Sequence, residues 1–144
     1  MEETLIVHAD GGARGNPGLA ASAFVITTKS GKLIKKFSES LGVTTNNFAE
    51  YKAVLFALEW ILKNLKINVK EIYFYLDSEL VIKQLTGKYK IKNQNLLELA
   101  MKIKFLENKL TKNIFYRHVP RSQNKLADYL VNQELGFKTP ISST

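Results

Sequence analysis

The spacing of apolar positions changes several times along the chain, and each change predicts an element. Residues 3–9 alternate around Leu5, Val7 and Ala9, the period-two pattern of a strand, which is expected to end at Asp10-Gly11-Gly12. The glycine- and proline-punctuated stretch GGARGNPG then predicts a loop. ASAFVITT predicts a second strand, KSGK a hairpin turn and LIKKFSESL a third strand. From about residue 47 to 65 the period becomes helical, with Tyr51, Val54, Leu55, Leu58, Ile61, Leu62 and Leu65 on one stripe. VKEIYFYL is a continuous apolar run, the mark of a strand covered on both faces. SELVIKQL and NLLELAMKIKFLENKL predict two helices, NIFYRHV a fifth strand stopped by Pro120, and NKLADYLVNQEL a last helix closed by Gly136.

The resulting order, β-β-β-α-β-α-α-β-α, predicts an α/β fold. Its five-stranded sheet is mixed, with three antiparallel strands followed by parallel ones and helices on both faces. No repeat or linker interrupts it. One domain is expected over residues 1–136, followed by a polar tail at 137–144.

Composition narrows the classes. An apolar fraction of 45% with eight Phe and six Tyr is enough to fill one globular core. Cysteine is absent, which excludes disulfides and thiolate metal sites and fits a reducing compartment. The acidic start MEETLIV is unlike a secretory leader, and no apolar run reaches membrane-spanning length. A cytoplasmic monomer is the expectation. Net charge is +8, from 21 Lys and Arg against 13 Asp and Glu. Lys83, Lys88, Lys90 and Lys92 crowd one stretch around Tyr89, so a polyanionic partner such as nucleic acid is expected.

Four acids stand where the pattern brings segments together, and each also has a plain reading. Asp10 could simply begin an Asp-Gly turn. Glu50, three residues after Asn47, could complete a capping box. Yet Ala53, Val54, Ala57 and Leu58 lie below it on the inward stripe, and an inward carboxylate needs a partner. Asp77 could cap the next helix, but it also ends an apolar strand, where α/β sites gather. Asp128 lies early in the last helix, where negative charge suits the helix dipole. Of the two histidines, His8 reads as a strand residue. His118 ends the fifth strand ten residues before Asp128 and is a candidate acid/base.

DGGARGNPG, TNNFAE, FYLDS and HVPRSQNKLAD, in this order and at these distances, resemble type 1 ribonuclease H over about residues 3–135. That resemblance implies a ribonuclease H-like fold and hydrolysis of the RNA strand of RNA/DNA hybrids. The cut would use two Mg2+ ions, with Mn2+ as the alternative, and leave 5′-phosphate and 3′-hydroxyl ends. It further implies that Asp10, Glu50, Asp77 and Asp128 hold the metal and that His118 is catalytic. Asn16, Asn46 and Asn47 would read the minor groove of the hybrid, with Gly11 and Gly12 beside them, and Thr45 would contact a DNA phosphate.

Larger bacterial members carry a basic, tryptophan-containing insertion after the second helix. Here QLTGKYKIKNQNL passes straight to the next helix, and Lys88, Lys90 and Lys92 are expected to substitute for it. The glycine-bearing loop after the family's histidine is here HVPRSQN. Two rival readings follow: a broader nuclease that also cuts double-stranded RNA, and a non-catalytic nucleic-acid-binding module on the same scaffold.

Overall fold

The computed structural model describes residues 2–65, 68–110 and 113–136. The expected tail, 137–144, lies outside these described residues. Three long strands open the chain: β1 (Glu2–Arg14), β2 (Gly18–Thr28) and β3 (Leu33–Thr44). Helix α1 (Asn46–Asn64) leads to β4 (Asn68–Leu76), then to α2 (Glu79–Leu85) and α3 (Gln94–Leu110). Strand β5 (Ile114–His118), a short 3-10 turn at Arg121–Gln123 and α4 (Lys125–Glu134) complete it. The sheet order is β3-β2-β1-β4-β5. β2 pairs antiparallel with both β1 and β3, while β1–β4 and β4–β5 are parallel, as the element order predicts.

Alternation decides what each strand gives to the interior. Leu5, Val7 and Ala9 of β1 join Phe24 and Ile26 of β2 and Ile72, Phe74 and Leu76 of β4 on one face. There they meet Val54, Leu58 and Ile61 of α1 and Leu99 and Ile103 of α3, all buried. On the opposite face Ala21, Ala23 and Val131 form a smaller cluster under α4.

Two expectations need correction. β1 does not stop at Asp10-Gly11-Gly12. It continues to Arg14, because β2 supplies ladder partners all the way along it. Strand β4 is not covered on both faces either. Tyr73 and Tyr75 are only half-buried, stacked on Phe115 and His8, because α4 packs on β1, β2 and β3. Aromatic side chains tolerate that half-wet position, which is why the run looks apolar in sequence.

Candidate active site

Three of the expected carboxylates meet. Asp10, Glu50 and Asp77 each offer an oxygen, and these atoms lie within 4.8 Å of one another. The topology explains the meeting. The parallel ladder between β1 and β4 ends at His8 opposite Tyr75, whereas the β1–β2 ladder runs on through Asp10. Asp10 therefore stands just past the end of β4, and Asp77 follows Leu76, the last residue of that strand. Crevices form at this carboxyl end of parallel strands.

Glu50 reaches the same point because α1 sits tight against β1. A Cβ on Gly11 would lie 2.3 Å from the Ala49 carbonyl carbon, so only glycine permits the approach. Ser22, the ladder partner of Gly11, donates its buried hydroxyl to Ala49 O at 2.6 Å and pins the helix there. The plain capping readings give way to other residues. Thr45 caps α1, accepting from Phe48 N at 3.1 Å, so Glu50 is free to point inward. Ser78 caps α2, accepting from Val81 N at 3.3 Å, so Asp77 is free as well. Asp10 sits within a ladder and begins no turn.

Asp128, on the first turn of α4, lies outside the three-oxygen cluster but lines the same cleft of about 440 Å³. Asn124 and Arg121, two residues the sequence reading passed over, shape this side. Asn124 is buried; its side-chain amide N–H donates to Ala9 O at 2.9 Å, and its backbone carbonyl accepts from Asp128 N at 3.0 Å in the first turn of α4. It thereby ties the strand just before Asp10 to the helix carrying Asp128. The only sequence signal was an asparagine ahead of a helix, which reads as a cap, although its side chain makes no cap bond. Arg121 lines the cleft with its Nε 3.9 Å from Asp77 Oδ2. Its placement depends on the 3-10 turn, which has no apolar period to reveal it.

The electrostatics are unfavourable to three bare charges. Burial pushes Asp10 up to about 8, reinforced by the carboxylates of Asp77 and Asp128. Burial likewise raises Glu50, with Asp10 and Asp77 adding to it, and raises Asp77 against the opposing pull of Arg121. Glu50 Oε1 and Asp77 Oδ2 are buried without a hydrogen-bond partner. An all-oxygen donor set with orphaned buried oxygens fits a hard divalent cation, which would neutralise the cluster and fill those positions.

The remaining candidates spread around this centre. Gly11, Gly12, Asn46 and Asn47 line the cleft. Asn16, Thr45 and Asn47 line an adjoining pocket with Asn93 and Asn95. Asn16 and Asn46 also brace the scaffold: Asn46 N donates to Asn16 Oδ1 at 2.9 Å, and Ala13 N to Asn46 Oδ1 at 2.7 Å. His118 is exposed and lines a neighbouring groove, together with Lys88. Lys90 and Lys92 are exposed and lie outside both clefts.

Comparison with known proteins gives a consistent answer. Residues 8–134 match the family described as reverse transcriptase-like. The crystal structure of LC11 ribonuclease H1 with an RNA/DNA hybrid superposes with a TM-score of 0.84 at 40% identity, covering 90% of this chain and 94% of that one. Ribonuclease H1 of Halobacterium salinarum gives 0.85 at 33% identity, covering 92% and 98%. The N-terminal ribonuclease H domain of a Mycobacterium tuberculosis protein gives 0.86 at 32% identity, covering 99% of both. The full-length mycobacterial relative, a bifunctional protein, is 34% identical over 132 residues; they are 91% of this chain and 35% of that protein, so the chain spans about a third of it. A fold shared this closely, with three carboxylates gathered at the end of its central strands, settles the kinship: the chain belongs to the ribonuclease H family.

Proposed function

We propose that this protein is an endoribonuclease that hydrolyses the RNA strand of RNA/DNA hybrids. The observation that carries the reading is the convergence of Asp10, Glu50 and Asp77, the first two lining a cleft together with Asp128. Two Mg2+ ions bound there, with Mn2+ as substitute, would lower the pKa of the attacking water and stabilise the leaving 3′ oxygen, giving 5′-phosphate and 3′-hydroxyl ends.

Asp10, Glu50 and Asp77 would hold the metal, with Asp128 completing the donor set from α4. Asn124 holds Asp128 in register with Asp10 through its two bonds. Arg121 sets a positive charge on the cleft wall, where an entering phosphate would meet it. His118 moves protons at the cut or helps product leave. Glu50, the Gly11–Gly12 backbone, Asn16 and Asn47 test for 2′-hydroxyls in the shallow minor groove, and Asn46 keeps that surface in shape. Thr45 faces the DNA strand, whose phosphates are held without sequence preference. We assign the catalytic unit to residues 1–136, with 137–144 as a tail, and its place of action to the cytoplasm as a monomer, in keeping with the absence of cysteine.

Cleavage of a labelled hybrid in Mg2+, beside double-stranded RNA, single-stranded RNA and duplex DNA, tests the reading. Cutting of the hybrid's RNA strand alone, abolished by EDTA, is the expected result. Equal cutting of double-stranded RNA would make the protein a broader nuclease. No cutting by folded protein would make it a binding module.

A further inference from the structure

A second groove, of about 400 Å³, runs between α2 and β5, an edge strand of the sheet. It lies beside the carboxylate cleft. Ser78 lines the cleft and Glu79 the groove; Arg121 lines the cleft and His118 the groove.

Two lysines line it, Lys83 and Lys88. Lys83 is fixed against Tyr89: its Nζ lies 3.4 Å from the phenol oxygen and 5.1 Å from the ring centroid. Glu79, 3.9 Å away, offsets part of that charge. Lys88 is turned back over the groove by the end of α2. Its N–H bonds to Lys83 O at 2.8 Å, and Gly87 N–H bonds to Gln84 O at 3.2 Å. This paired closure of a helix end needs a left-handed residue, and Gly87 supplies it at φ 83°. The same turn leaves Lys90 and Lys92 outside the groove. Arg117 also lines it, with its guanidinium stacked over Tyr73 and Phe115. Lys83 lies one helical turn past Glu79, about 6 Å. That is roughly two base pairs of duplex rise.

We propose that this groove is a phosphate-binding extension of the substrate path, in which Lys83 and Lys88 hold the hybrid's backbone a few nucleotides beyond the cut. The inference rests on the hybrid-cleaving reading and deepens it. It divides the lysine-rich stretch into two lysines that touch substrate and two that add only diffuse charge. It also gives His118 a place beside the passing strand.

The test is hybrid binding in Ca2+, which leaves the strand uncut, read by fluorescence anisotropy across a salt series. Each phosphate contact contributes about 0.9 to the slope of log affinity against log salt. Lys83→Gln with Lys88→Gln is expected to flatten the slope by about 1.8, while Lys90→Gln with Lys92→Gln leaves it near wild type. Gln removes the charge while keeping part of the aliphatic stem, and a thermal melt of each variant confirms the fold. An unchanged slope in the first double variant, or an equal loss in the second, would overturn the groove. If wild-type protein bound no hybrid at all, the hybrid-cleaving reading would fall with it.

Discussion

Glu50 and Glu107 are equally buried, each 7% exposed, yet they live in opposite circumstances. Glu107, on α3, accepts the Tyr116 phenol from β5 and pairs with Lys104 at 3.1 Å. Its charge is answered by the chain itself. Glu50 has one oxygen with no partner and two other carboxylates beside it. Both acids carry the cost of leaving water, but only the first recovers it within the protein. A buried carboxylate is therefore not in itself a sign of function. What marks the cleft is that three carboxylates meet there with only Arg121, beside Asp77, to answer them, as a site reserved for an outside cation requires.

Removing charge from each region separates the two. The largest effect is expected in the cleft: Asp10→Asn or Asp77→Asn should lower the cleavage rate by at least about 10³-fold, since the metal cluster acts as a unit. The same variants should keep their circular dichroism spectrum. A variant with near wild-type turnover would sink the assignment of the site.

A second effect concerns stability without metal. Asp10 is raised from an ordinary carboxylate value to about 8, and Glu50 and Asp77 are raised in the same direction. A folded-state pKa above the unfolded one favours folding while the group is protonated. That contribution is present below about pH 4 and lost as pH rises toward 8. In EDTA the melting temperature should fall over this window, and Mg2+ should restore it while displacing protons. Calorimetry in two buffers of different ionisation enthalpy would detect the released protons. A flat profile in EDTA would show that the cluster is not strained.

The smallest effect is expected at the satisfied acid. Glu107→Gln should cost about 1–3 kcal/mol of stability by weakening its bonds to Tyr116 and Lys104. It should leave the hybrid cleavage rate unchanged at a temperature where the variant is folded. A loss of activity at full folding would mean that the two regions are coupled and that Glu107 is not a purely structural acid.

Much of this was legible in the chain. Alternating, helical and continuous apolar spacing marked the strands and α-helices, because burial is written directly into which residues are apolar. The order of elements then limited the sheet to a mixed one. Four carboxylates beside family-like motifs marked the cleft. Boundaries were less legible: β1 runs four residues past Asp10 because β2 is there to pair with it, and pairing partners leave no local trace. Nor could the sequence say which polar residue caps which helix, since Thr45, Asn47, Asp77 and Ser78 all suit the role chemically.

The sequence by itself determined the elements, their order, the absence of thiol chemistry and the residue types available for a metal. The tertiary structure alone decided which charges meet. Gly11 opens the space that admits Glu50, Asn124 joins segments 115 residues apart, and the α2 turn sends Lys88 into the groove but not Lys90. The reason is physical: periodicity is a local property of a chain, whereas electrostatic neighbourhood depends on distances through space that only the packed fold sets.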